Sequence, residues 1–289
     1  MVNFFKFFTI IGGAIISTMM IALLPIHQAD AKEQKLKDDG DQTALALNYH
    51  RVRGDDFLDK FLFIFSGSKE MSTYSVSKEA FERQIKWLKA HDAHFLTHDE
   101  LIRYKREGHF PKRSVWISFD DMDESVYQNA FPILKKYNVP ATGFVITGKV
   151  GAQDYHNLNL STLSDLKEME KSGLWTFQSH THDLHVLKKN DSKMLTVSSK
   201  VLKHDLRKSN DYIDQHFKRK ETSIAYPYGQ IDDQAVNAVR DSGISYGYTL
   251  EEKAMSVNDD NYHIPRILVS EDAFNQLVKK WGAFHHDAS

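Results

Sequence analysis

What most restricts the fold of this chain is an alternation. From Thr43 almost to the end, short apolar stretches with β-branched and aromatic character take turns with longer amphipathic ones. Residues 43–49, 115–119, 141–146, 174–178, 222–226, 244–249 and 262–269 read as strands, and residues 77–91, 97–105, 124–137, 162–171, 192–217, 231–241 and 270–281 as helices. Such an order calls for parallel strands joined by helical crossovers. No internal repeat and no second core is apparent, so the pattern predicts one α/β domain. In a barrel of parallel strands, the carboxyl ends of the strands converge on one rim, where active sites are built.

Local signals agree with this order. Ser77 is placed to cap the first helix, and Thr97-x-x-Glu100 is a capping box for the second. Gly173 ends the helix that begins near Thr162. Pro132 lies inside the 124–137 segment and predicts a kink or break there. Pro227-Tyr228-Gly229 is a turn signal.

The residues able to do chemistry all follow strands: His50, Asp120 with Asp121, the cluster His180, His182 and His185, Tyr228, and Arg266. Clustered histidines suit a divalent transition metal, although a His-rich loop can equally be a solvated one. What favours the metal is a second piece of metal chemistry, the apolar run Val115 to Phe119 that halts at two aspartates. In a regular strand Asp120 and Asp121 would face opposite sides, whereas at a strand end both can reach one cavity. If Asp121 joins two of the histidines on an ion, Asp120 stays free as a base for water acidified by that ion. His50 could protonate a leaving group, and the backbone N–H of Tyr228, just after Pro227, could hold an oxyanion. This describes a hydrolytic site for an amide or ester, and Zn²⁺, Co²⁺ and Ni²⁺ all suit an Asp-His-His set.

The chain begins with an apolar run, Phe7 to Leu24, followed by Pro25 and Ala29-Asp30-Ala31, which predicts a secretory signal over residues 1–31. An uncleaved anchor is the alternative, because a span needs only ~18 to 20 apolar residues. Residues 32–42 read as a flexible leader. With no cysteine, an exported life would not rest on disulfides. A net charge of −2, with both signs interspersed, gives no argument for a nucleic-acid partner. The apolar stretch 57–65 is either a core strand or an exposed loop that touches a membrane or glycan surface.

Ser118-Phe-Asp-Asp121, His180-Thr-x-x-x-His185 and Tyr226-Pro-Tyr-Gly229 resemble, in order and spacing, the motifs of polysaccharide deacetylases, carbohydrate esterase family 4. Asn48-Tyr-His-Arg-Val52 and His263-Ile-Pro-Arg-Ile267 resemble more closely the branch acting on poly-β-1,6-N-acetyl-D-glucosamine, a biofilm polysaccharide. The resemblance implies a distorted (β/α) barrel of the NodB-like type over residues 43–289, in a monomeric protein that is secreted and associated with the cell surface. It implies one divalent metal on Asp121, His180 and His185, Asp120 as general base and His50 as general acid. It also implies partly de-N-acetylated polymer and acetate as products. Two departures stand out. The broader family spaces its histidines four apart, where Leu184 stands here, so His182 is a rival ligand. The family's arginine shortly before Pro-Tyr is replaced by Ala225 and Tyr226, which leaves Arg266 either to orient Asp120 in its place or to form a surface ion pair. Two other readings are a non-catalytic glycan-binding module, with Trp175, Tyr226 and Tyr228 stacking on sugars, and a haloacid-dehalogenase-type phosphatase built on Asp121-Met122-Asp123. Ser125 departs from the latter pattern.

Overall fold

A computed structural model describes residues 35–54, 74–220 and 222–285. The expected export signal over 1–31 and the apolar stretch 57–65 lie outside the described residues. Among the described residues no helix is long and apolar enough to cross a membrane.

Strand β1 (Thr43–Tyr49) is followed by a small pair, β2 (Arg51–Arg53) with β3 (Ser75–Ser77). Then α1 (Lys78–Ala90) leads to β4 (His94–Leu96), α2 (His98–Glu107) to β5 (Ser114–Phe119), and α3 (Phe131–Tyr137) to β6 (Ala141–Val145). Helix α4 (Leu163–Lys171) precedes β7 (Trp175–Ser179). The pair β8 (Leu187–Lys188) with β9 (Asp191–Ser192) and the single turn α5 (Lys193–Thr196) come before α6 (Ser199–His216). The chain continues through β10 (Ser223–Ala225), α7 (Asp233–Asp241), β11 (Tyr246–Tyr248), β12 (Met255–Ser256), β13 (Ile267–Leu268) and α8 (Glu271–Ala273).

The main sheet runs β11-β10-β7-β6-β5-β1-β12, with β4 also on β5 and β13 also on β1. Its pairs are parallel except β1 with β12. That exception departs from the all-parallel expectation for a physical reason: only residues 249–254 separate β11 from β12, too few for a crossover, so the chain turns back. Ile264 then bridges Tyr248, and β13 pairs with Leu47 and Asn48. This one segment ties the last strands to the first and curls the sheet into a distorted barrel.

Side-chain parity along the strands sorts the core. Leu45, Leu47 and Tyr49 of β1, with Val115, Ile117 and Phe119 of β5, pack in one apolar cluster with residues of α1 and α3. Ala44, Ala46 and Trp116 point the other way into a second cluster with Phe144, Tyr248 and Ile264, the barrel interior. By the same parity Asn48, Ser118 and Asp120 belong to the interior.

Three helices differ from their sequence pattern. The 192–217 segment breaks at Ser198, whose extended backbone and side-chain bond to the Val201 N–H start α6 afresh. In 124–137 the expected disturbance takes the form of a π turn over Val126–Ala130. Pro132 has no N–H for the Gln128 carbonyl, and the Phe131 N–H reaches back to the Val126 carbonyl instead. The last helix changes to a π turn at Phe274–Val278 and stops before Trp281.

His98 sits inside the barrel wall, 1 % exposed, with Nε2 at 2.9 Å from Ser223 Oγ and 3.1 Å from the Tyr248 hydroxyl. Burial pushes its pKa down to about 4, against the opposing pull of Asp99. The folded value lies below the ordinary one near 6.5, so the neutral ring stabilises the fold fully above pH 6.5. That contribution, at most about 3 kcal/mol, is lost as pH falls from 6.5 to 4. Urea midpoints of the unmodified protein are therefore expected to fall more steeply over this window than those of His98→Gln. Parallel curves would show that His98 does not titrate with unfolding.

Candidate active site

Strand register assembles the site. Tyr49 pairs with Phe119, and the Asp120 N–H donates to the Tyr49 carbonyl at 3.0 Å, so His50 and Asp120 leave neighbouring strands side by side. Val145 pairs with Ser179, and the His180 N–H donates to the Val145 carbonyl at 2.8 Å, which sets the histidine loop two strands further round. The pleat ends at Asp121 and Met122, both left-handed with φ of 66° and 61°. Each such residue costs on the order of 1–3 kcal/mol and persists only where packing holds it. Met122 is held over Gly143, where a Cβ would come within 2.5 Å of its sulfur. The turn brings both carboxylates to one cavity.

Asp121, His180 and His185 are 7, 1 and 9 % exposed, and their ligand atoms lie within 4.8 Å of one another. The Asp121 Oδ1 is 3.5 Å from Nε2 of His180 and 3.2 Å from Nε2 of His185. His180 Nδ1 lies 2.7 Å from the Ala225 carbonyl, which only accepts, so Nδ1 carries the proton and the Nε2 lone pair faces Asp121. Burial pushes the His180 pKa down to about 4, which keeps the ring neutral. Burial would raise the Asp121 carboxyl, but His185, His50 and His180 outweigh it and hold the group below its ordinary value. Its Oδ1 is buried and accepts no hydrogen bond among the described residues. An orphaned carboxylate oxygen facing two imidazole nitrogens fits a divalent ion. His182 is not part of the cluster: its Nδ1 lies 3.0 Å from Thr147 Oγ1 and its Nε2 3.6 Å from Asp183. The geometry gathers His185, and not its rival His182, with Asp121 and His180.

Asp120 is 1 % exposed and unligated by this set. Arg266, wholly buried, grips it with both nitrogens: Nη1 donates to Oδ1 at 2.7 Å and Nη2 to Oδ2 at 2.8 Å. Asn48 adds a bond to Oδ2 at 2.8 Å. Burial alone would raise this carboxyl, yet the guanidinium charge wins and holds it well below the usual carboxylate range. The guanidinium lies over the rings of Phe144 and Tyr248, 5.0 and 5.8 Å from their centroids, so Arg266 forms a core pair and not a surface one. Although the usual place near Pro227 holds Ala225 and Tyr226, Asp120 still has its arginine.

Of these groups Asp120, Asp121 and His185 open on a cavity of about 80 Å³, lined also by His50, Tyr155 and Tyr228 among others. Burial lowers the His50 pKa against the pull of Asp120 and Asp121. Its Nδ1 has no hydrogen-bond partner among the described residues, and Tyr74 packs edge-on at 4.8 Å. The Tyr228 ring lies against His185 at 4.8 Å, and its backbone is left-handed with φ of 60°. Trp175 and Tyr226, read as sugar-stacking residues, are instead 2 and 0 % exposed and belong to the core. Trp175 opens strand β7 and Tyr226 directly follows β10, strands whose side chains are all buried except the half-buried Thr176.

Three contributors carried no role in the sequence reading. Asn48 stands in the Asn48–Val52 motif as a polar residue near the end of an apolar strand, with no chemistry of its own assigned to it. Tyr155 donates from its hydroxyl to the His185 carbonyl at 2.7 Å. Asp205 accepts from the backbone of the histidine loop. Its one signal is an acid among Leu202, Leu206, Ser209 and Ile213, on the buried face of α6.

Residues 107–247 match the family model "Polysaccharide deacetylase". The chain is 51 % identical over 275 residues to the poly-beta-1,6-N-acetyl-D-glucosamine N-deacetylase of Staphylococcus aureus strain MSSA476, covering 92 % of this chain and 95 % of that one. Its identity to the protein of the same name from Staphylococcus epidermidis is 52 % over 281 residues, covering 94 % and 97 %. Among solved structures, IcaB from Ammonifex degensii superposes with a TM-score of 0.70 at 28 % identity, over 86 % of this chain and 99 % of that one. The Streptococcus pyogenes deacetylase PplD, solved in complex with acetate, gives 0.68 at 27 % identity, over 82 % and 98 %. With this likeness along nearly its whole length, and a buried Asp-His-His set beside a free carboxylate, the chain belongs to the polysaccharide deacetylase family.

Proposed function

We propose that this protein is an exported, divalent-metal-dependent hydrolase that removes N-acetyl groups from poly-β-1,6-N-acetyl-D-glucosamine, leaving partly de-N-acetylated polymer and acetate. The observation that carries the reading is the buried trio Asp121, His180 and His185 beside an ionised Asp120 that lies outside the trio, with Asp120, Asp121 and His185 lining one cavity. The polymer is the one named for the staphylococcal relatives, and acetate, a product of such a reaction, is bound in PplD. Export rests on the pattern of residues 1–31, and the apolar stretch 57–65 would supply a contact with the cell surface.

A zinc, cobalt or nickel ion held by the trio supplies electrophilic activation of the acetyl carbonyl. The other roles fall to this chain's residues. Asp120, ionised and fixed by Arg266 and Asn48, takes a proton from the water that attacks the carbonyl carbon. The Tyr228 N–H, at the turn after Pro227, donates to the oxygen that gains negative charge. As the C–N bond breaks, His50 gives its proton to the departing glucosamine nitrogen, and acetate is released.

Acetate release from a β-1,6-linked N-acetylglucosamine oligomer by purified residues 32–289 tests this. Release is expected to stop on chelation and to return with added Zn²⁺, Co²⁺ or Ni²⁺. Metal-dependent binding of the oligomer with no release would favour a glycan-binding module, and release that persists through chelation would remove the metal from the reaction.

A further inference from the structure

We propose that Asp205 is a positioning residue that selects which histidine joins Asp121 and His180. The inference rests on the metal-dependent reading above and deepens it. Asp205 lies on α6, 7 % exposed, and spends both carboxylate oxygens on consecutive peptide groups inside the histidine loop. Its Oδ1 accepts from the His182 N–H at 2.8 Å and its Oδ2 from the Asp183 N–H at 2.7 Å. A buried carboxylate that accepts two backbone N–H bonds is a strong local restraint.

The loop is gripped from its other side as well. The Thr147 N–H donates to the Thr181 carbonyl at 3.1 Å and the Gly148 N–H to the His182 carbonyl at 3.0 Å. The Thr147 hydroxyl meets His182 Nδ1 at 3.0 Å, and a Cβ on Gly148 would come within 2.6 Å of the His182 carbonyl oxygen. The peptide of His182 is thus clamped between α6 and the segment after β6, and its ring is drawn to Thr147. Thr181 turns the chain with φ of 70°, and the path that follows delivers His185 Nε2 to 3.2 Å from Asp121. Four residues beyond His180 stands Leu184, buried at 4 %, so the loop needs an outside anchor to bring in a histidine one place later.

Co²⁺ titration of residues 32–289, followed by its visible ligand-field bands, tests the assignment without reference to turnover. Asp205→Asn keeps the shape but points an N–H₂ at one of the two N–H donors. It is expected to weaken Co²⁺ binding by about 10- to 100-fold and to alter the bands. Asp205→Glu is expected to recover part of the affinity, and His182→Ala to leave it unchanged. Gly148→Ala presses on the same peptide from the opposite side and is expected to weaken binding too, which keeps the test open if Asp205→Asn folds poorly. A folded Asp205→Asn with unchanged affinity and bands would overturn the positioning role while leaving the metal reading intact. Failure of the unmodified protein to bind Co²⁺ would overturn both.

Discussion

Asp120→Asn is expected to lower kcat for acetate release by about 10²- to 10⁴-fold, the range a positioned acid or base supplies, while Co²⁺ or Zn²⁺ still binds. In the proposed mechanism the trio that would hold the ion does not include Asp120, so the substitution would remove the proton acceptor and leave the ligands in place. Substrate affinity should change much less than kcat, since this carboxylate works on the attacking water. Asparagine also turns one of its two atoms into a donor facing Arg266 or Asn48, so a thermal melt must accompany the kinetics. A metal-loaded, folded Asp120→Asn that keeps its kcat would assign the proton transfer elsewhere.

Arg266→Met should act on both stability and pH dependence. Breaking a buried pair by removing one partner leaves an uncompensated charge, at a cost of about 3–5 kcal/mol. Once the guanidinium is gone, burial is free to raise the Asp120 carboxyl from its depressed value. The sign follows directly: the base becomes protonated at higher pH, so the acid limb of kcat/KM moves upward. Arg266→Lys is not a conservative control, because a single ammonium cannot make the two parallel bonds. If Arg266→Met lowers the melting temperature but leaves the acid limb in place, Arg266 contributes to folding alone.

Much of this was legible in the sequence because local chemistry and periodicity agree. Ser77 and Thr97 cap their helices as the spacing predicts, with the full box at Thr97 and Glu100. Strand ends could be read from the polar residues that interrupt them, which is how His50, Asp120, Asp121 and the histidine loop stood out. Register could not be read. That Tyr49 lies beside Phe119, and therefore His50 beside Asp120, depends on pairing across about seventy residues. The placing of His185, and not His182, beside Asp121 likewise goes with contacts of the loop to Thr147 and Asp205 that no spacing within it encodes. Short strands such as His94–Leu96 fell below the length at which period-two alternation can be recognised.

The segment that closes the barrel also carries the guanidinium that pairs with Asp120, the proposed base. Ile264 bonds to the strand end at Tyr248, β13 to β1, and Arg266 between them reaches inward to Asp120. An assembly intermediate with the earlier strands formed and residues 264–268 still undocked would already possess the ion-binding trio, yet its base would lack a counter-charge. On the proposed reading, metal uptake would thus precede competence, and hydrolysis would report that the last span of chain has locked into place.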